Sequence, residues 1–210
     1  MKITNNPIKK VGKFFREISA IIIGIAITLS ASYWLGIRNE KKDTVLYLNA
    51  LKIEIEDNIK TLEKALEKIK PSIEYSNYLQ STSRETLNND TIKIYEGIFY
   101  RVETYSFKTT AFEMFKISGN MRLIDDKELL LSLWDVYDEL SAVKDFFEWH
   151  SKIKWDYMQK DLALLIEGED LKVAPMYNFF FLGFPHNAKD ACEKALEKSN
   201  EVVEKLRIKN

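Results

Sequence analysis

From Ile18 to Ile37 the chain runs for twenty residues without a charge, and no other feature narrows its options as much. Ile21, Ile22, Ile23, Ile25, Ile27 and Leu29 dominate the middle of the run. At a rise of about 1.5 Å per residue, a helix of this length covers about 30 Å, the hydrocarbon thickness of a bilayer. A core helix of a soluble protein keeps one polar face. This run offers only Ser19, Thr28, Ser30 and Ser32, whose hydroxyls can bond the helix's own carbonyls and so tolerate lipid. Tyr33 and Trp34, with Arg38 just beyond, suit the membrane–water interface, where a ring lies in the apolar layer and a polar end reaches water. The run reads as a transmembrane helix over residues 18–37.

A cleaved signal peptide is the competing reading. Lys9, Lys10, Lys13 and Arg16 would form its basic region, and Ser30-Ala31-Ser32 would supply small residues for a peptidase. The apolar run, however, continues through Trp34, Leu35 and Ile37, longer than the roughly 7–15 residues of a signal core. The basic residues before the run outnumber Arg38, Lys41 and Lys42 after it, which favours a cytoplasmic N-terminus. The expected layout is a short basic cytoplasmic segment over 1–17, the span, and an extracytoplasmic helical domain over 38–210. In a Gram-negative cell that domain would be periplasmic and the span would sit in the inner membrane. Cys192 is the only cysteine, so no disulfide can form within one chain.

Seven glycines and four prolines leave room for long helices. Val45, Leu48, Ile55, Ile59, Leu62, Leu66 and Ile69 recur at spacings of three and four, interrupted at Lys52, and predict a heptad seam. Pro71 suits the first turn of a second helix ending near Leu87, before Asn88-Asn89-Asp90. Residues 91–108 fit neither helical nor strand periodicity and are read as a short helix followed by irregular chain. Thr109-Thr110 can cap a short helix that Ser118-Gly119-Asn120 ends as a tight corner, with Phe112, Phe115, Leu123 and Ile124 buried. Asp125 and Glu128 have the spacing of a capping box. It opens a long apolar-periodic helix through Leu129, Leu133, Val136, Leu140, Val143, Phe147, Ile153, Tyr157 and Leu164. A last helix begins near Asn187 and carries Ala191, Ala195, Val202 and Leu206. The fold class expected is all-α: one N-terminal transmembrane helix followed by an antiparallel bundle of long helices.

Several of these residues also form a recognisable pattern. Glu17, Ile23-Gly24-Ile25, Trp34 and Arg38-Asn39-Glu40 are followed by Tyr47-Leu48, Leu51, Glu54-Ile55 and Asn58. A second block is TTAFEMFKISGNMRLIDDKEL, from Thr109 to Leu129. Together they resemble the domain-of-unknown-function 6090 family of single-pass Bacteroidota membrane proteins. The resemblance implies an inner-membrane protein with a helical extracytoplasmic domain and no assigned activity. The chain departs from the pattern at Ser30-Ala31-Ser32-Tyr33, where the family carries more amide side chains.

No chemistry stands out. A metal centre in a helical bundle would need Glu-x-x-His pairs from two helices, and only His150 and His186 exist, so no metal and no cofactor are expected. Asp135 with Asp138 or Glu139 reads as a solvated face rather than an acid–base pair. Cys192 is either a thiol with a lowered pKa or, the commoner case, a small buried apolar residue. There is no phosphate loop or nucleophile elbow. The 31 basic and 32 acidic residues nearly cancel, which removes the electrostatic reason to expect nucleic acid.

Two features suggest contacts instead. Ala20, Gly24, Thr28, Ser32 and Gly36 fall four apart, a row of small residues suited to close helix approach in lipid. Tyr177, Phe179, Phe180, Phe181 and Phe184, in a segment bounded by Pro175 and Pro185, either cap the open end of the bundle or form an exposed docking surface. The expected function is non-enzymatic: a membrane-anchored scaffold or accessory subunit of an envelope complex. Its partners would be membrane lipid and either a second copy or another envelope protein. The alternative is a periplasmic ligand-binding or sensing module coupled through its span to a partner, which calls for an apolar cavity with a few polar groups.

Overall fold

The computed structural model describes residues 7–82, 102–167 and 183–208. These contain four α-helices and no strand: α1 Pro7–Ser81, α2 Thr110–Ser118, α3 Lys127–Glu167 and α4 Phe184–Ile208, with a 3-10 turn at Asn120–Leu123. The chain divides into two compact units, residues 1–46 and 47–210. In the first unit, α1 is long and apolar enough to cross a membrane, and none of its apolar window is buried within the protein.

The second unit is a helical bundle whose directions follow from its cross-links. Glu128 pairs with Lys205, Glu139 with Lys198, and Phe146 stacks on Phe184, so α4 runs antiparallel to α3. Arg207 meets Glu56 and His186 meets Ser76, so α4 also runs antiparallel to this part of α1. Glu54 joins Tyr137, and α1 and α3 therefore point the same way. Residues 102–109 make that possible by carrying the chain back along α1 in non-helical form, with Lys108 beside Asn58 and Glu103 beside Lys68.

The core stripe of α1 differs from the expected seam. Leu51, Ile55, Asn58, Leu62, Ala65 and Ile69 are buried, at alternating spacings of four and three. Leu48, Ile59 and Leu66 flank it half-buried, and Val45, in the first unit, is exposed. The true seam passes Leu51 rather than Lys52, so the supposed polar interruption disappears.

Pro71 does not start a new helix. It lies inside α1, with Ile69 before it and Tyr75 and Ser76 after it buried. The missing N–H and ring clash cost about 3 kcal/mol in a helix interior, and burial on both sides offsets them. The part of the expected second helix beyond Thr82, and residues 91–101, lie outside the described residues.

The corner at Gly119 is present. Gly119 has φ of 72°, the left-handed conformation that side chains with a Cβ disfavour, and Phe112, Phe115 and Ile124 are buried. Leu123 is only half-buried. The cap of α3 is Asp126 rather than Asp125: its carboxylate accepts from the Leu129 N–H at 2.9 Å. Glu128, free of any capping-box role, reaches across to Lys205. On α3 the residues Leu129, Leu133, Val136, Leu140, Val143 and Phe147 are buried as expected, but beyond Phe147 the buried positions are His150, Ser151 and Lys154. Ile153 is half-buried, and the side chains of Tyr157 and Leu164 lie outside the described residues. The last helix starts earlier than Asn187, at Phe184, with Pro185 in its first turn, where no N–H is required.

Candidate functional site

In the first unit the small-residue row is open. Apart from their own turns of helix, Gly24 and Gly36 have no heavy atom within 4 Å of where a Cβ would stand, and Ser32 is exposed. Thr28 turns inward to its own helix, its hydroxyl donating to the Gly24 carbonyl at 2.9 Å. The side chain of Ala20 lies outside the described residues. Tyr33 and Trp34 are exposed, and the Arg38 guanidinium sits 5.7 Å from the centre of the Trp34 ring, a cation–π pair at the polar end of the run.

The aromatic segment divides differently. Tyr177, Phe179, Phe180 and Phe181 lie outside the described residues. Phe184 is not part of an exposed surface: it is 8% exposed, stacked on Phe146 and on the His150 ring, with Phe147 edge-on. Its ring packs inside the bundle at the start of α4.

A connected set of buried polar contacts lies where no chemistry was expected. Glu54, on the core side of α1 and 7% exposed, accepts from the Ala111 N–H at 2.7 Å, the Phe112 N–H at 3.2 Å and the Tyr137 hydroxyl at 2.6 Å. A helix N-terminus leaves its first N–H groups unpaired and attracts negative charge, so the Glu54 carboxylate caps α2 from another element. Thr109, the expected cap, makes no side-chain capping bond. Burial, then the bond to Glu54, raises the Tyr137 phenol above its usual range. One turn further along α1, Asn58 donates to the Lys108 carbonyl and accepts from the Lys108 N–H, both at 2.8 Å. The Lys108 ammonium reaches Asp57 at 2.7 Å and, with Lys60, holds that carboxyl well below the usual range, at about 2. Glu54 and Asn58 thus tie α1 to the chain that leads into α2.

A second polar group gathers where Ser76 of α1 meets the start of α4. The Ser76 hydroxyl and His186 Nε2 lie 3.3 Å apart. The Ser151 hydroxyl donates to the Glu103 carbonyl at 2.8 Å. Burial, assisted by the Lys154 charge, pushes the His150 imidazole down to about 3. Burial also draws Lys154 down to about 8, opposed by Glu103. His150 is therefore a neutral ring at ordinary pH, used as a packing surface for Phe184. Cys192 is buried, and burial pushes its thiol up to about 12, the opposite of an activated nucleophile. Among the described residues no three of His, Cys, Asp and Glu are grouped to hold a metal ion.

Fold and contacts together define an all-α architecture whose first helix is long and apolar enough to cross a membrane and whose described residues from Tyr47 on pack as a helical bundle. Comparison with protein-family models, curated proteins and solved structures finds no match to it.

Proposed function

We propose that this is a single-pass inner-membrane protein that works by binding other proteins, as a scaffold or accessory subunit of a cell-envelope complex, without catalysing a reaction. In this reading the N-terminus is cytoplasmic, residues 18–37 cross the bilayer, and residues 38–210 are exported. The observation that carries it is the contrast within α1: Ile21 to Leu35 is uncovered, whereas Leu51, Ile55 and Leu62 of the same helix are fully buried. An uncovered apolar run of that length is suited to lipid, and the buried stretch ties the run to a folded module. Among the described residues the interior holds Tyr75, Phe115, Phe147 and a series of leucines, with polar groups that fasten elements together. A second copy of the chain, or another envelope protein, would be the partner.

In-membrane photo-crosslinking from exposed positions, followed by mass spectrometry in the native host, tests this. The expected outcome is recurrent crosslinks from the span and the bundle to one or two membrane or envelope proteins. Crosslinks confined to lipid and to positions within a single copy of the chain would contradict it.

A further inference from the structure

The short helix α2 is apolar on both sides. Phe112 and Phe115 point into the core, while Met114 and Ile117, three residues apart on the opposite face, are 55% and 84% exposed. α2 lies at the end of the bundle where the chain enters from the first unit: the Phe115 ring lies 6.1 Å from the ring of Tyr47, the first residue of the second unit. Leu131, at the start of α3, and Ile53, next to Glu54, are exposed near the same end, where Glu54 joins α1 to α2 and α3. Single exposed apolar residues need no account, but Met114 and Ile117 are neighbours on one helix face, and an exposed apolar face of that kind is suited to a contact.

We propose that this end of the bundle, through Met114 and Ile117, rests in the interfacial layer of the bilayer that residues 18–37 cross. The proposal depends on the membrane reading above and adds a second contact to it. Tyr47 follows Ile37 by ten positions. Even fully extended, that chain reaches no more than about 35 Å, so the Tyr47 end is tethered within that distance of the bilayer. The Ser76 end lies 29 residues further along α1, about 45 Å as helix, and has no such constraint. A protein partner would have to compete for this face with a lipid surface to which the chain tethers it. Charge does not drive the contact, because Lys116, Arg122 and Lys127 are offset by Glu113, Asp125, Asp126 and Glu128. The apolar side chains do, as in a helix lying in the plane of the interface.

The test uses the full chain with Cys192→Ala, reconstituted in phosphatidylcholine vesicles that contain nitroxide-labelled lipid. A fluorophore is placed in turn at Leu29→Cys, Ile117→Cys and Lys152→Cys. The expected result is loss of fluorescence at the first two positions and none at the third, unchanged when anionic lipid is added. Loss at position 29 with position 117 as bright as position 152 overturns the proposal and leaves the span intact. No loss at position 29 removes the membrane reading and the proposal together. Loss at position 117 that appears only with anionic lipid, or only as self-quenching that vanishes on dilution with unlabelled chain, assigns the face to charge or to a second copy and also overturns it.

Discussion

Glu54 shows how far individual residues can be read from sequence. In the chain it is one of 32 acidic residues, on a helix where Glu56, Asp57, Glu63 and Glu67 are also carboxylates, and nothing in its spacing marks it. Its position on the Leu51–Ile55–Asn58 stripe is the signal that was available, since a charge on a buried stripe has to be paired. Which partners it finds depends on where residues 102–109 return, and local pattern does not contain that. Gly119 is the opposite case, because Ser-Gly-Asn after an apolar periodic stretch has a local backbone meaning and the left-handed glycine follows. The contacts of Glu54 lead to a prediction. Glu54→Ala leaves the Ala111 and Phe112 N–H groups and the buried Tyr137 hydroxyl without their acceptor, and the full chain in detergent should lose about 2–4 kcal/mol of stability. Hydrogen exchange should show Ala111 and Phe112 amides losing protection first. Unchanged unfolding and unchanged protection would mean that α2 is held by Phe112 and Phe115 alone.

Among the elements, long periodic helices are legible and their joints are not. α3 and α4 follow their apolar repeats, and the uncharged run of α1 needs only its length. Pro71 misleads because local propensity argues for a boundary, while buried Ile69, Tyr75 and Ser76 hold one helix across it. The α1 stripe is misplaced when the count starts from Val45 and Leu48 rather than Leu51 and passes over the small Ala65 and the polar Asn58. His150 and Lys154 escape a reading in which a buried stripe stays apolar beyond Phe147. In the apolar run of α1, the open faces at Gly24 and Gly36 leave room for a second helix to approach closely, and Thr28, bonded back to Gly24, presents its methyl rather than a free hydroxyl. Gly24→Leu with Thr28→Leu should therefore reduce self-association of residues 14–42 in an in-membrane assay to near the level of a monomeric control. Equal association by the wild-type and doubly substituted segments would show that the row is a lipid-facing surface and nothing more.

At the scale of the whole molecule, one helix supplies both the segment suited to lipid and the first wall of a bundle. The bundle closes on itself because residues 102–109 return along α1, allowing α1 and α3 to run parallel and α4 to run against both. The all-helical class and the uncharged run are evident from sequence because both depend on local composition and period. The parallel pairing depends on a segment without periodicity. The proposal that residues 38–210 form an exported domain on an uncleaved anchor underlies everything suggested about its partners, and it can be tested directly. A reporter that is active only after export, fused after Asn210, is compared with one active only in the cytoplasm, and the N-terminus of the mature chain is sequenced. The expected result is activity from the exported reporter alone, in the membrane fraction, with residues 18–37 still attached. Activity from the cytoplasmic reporter, or a mature chain beginning at Tyr33, would contradict it.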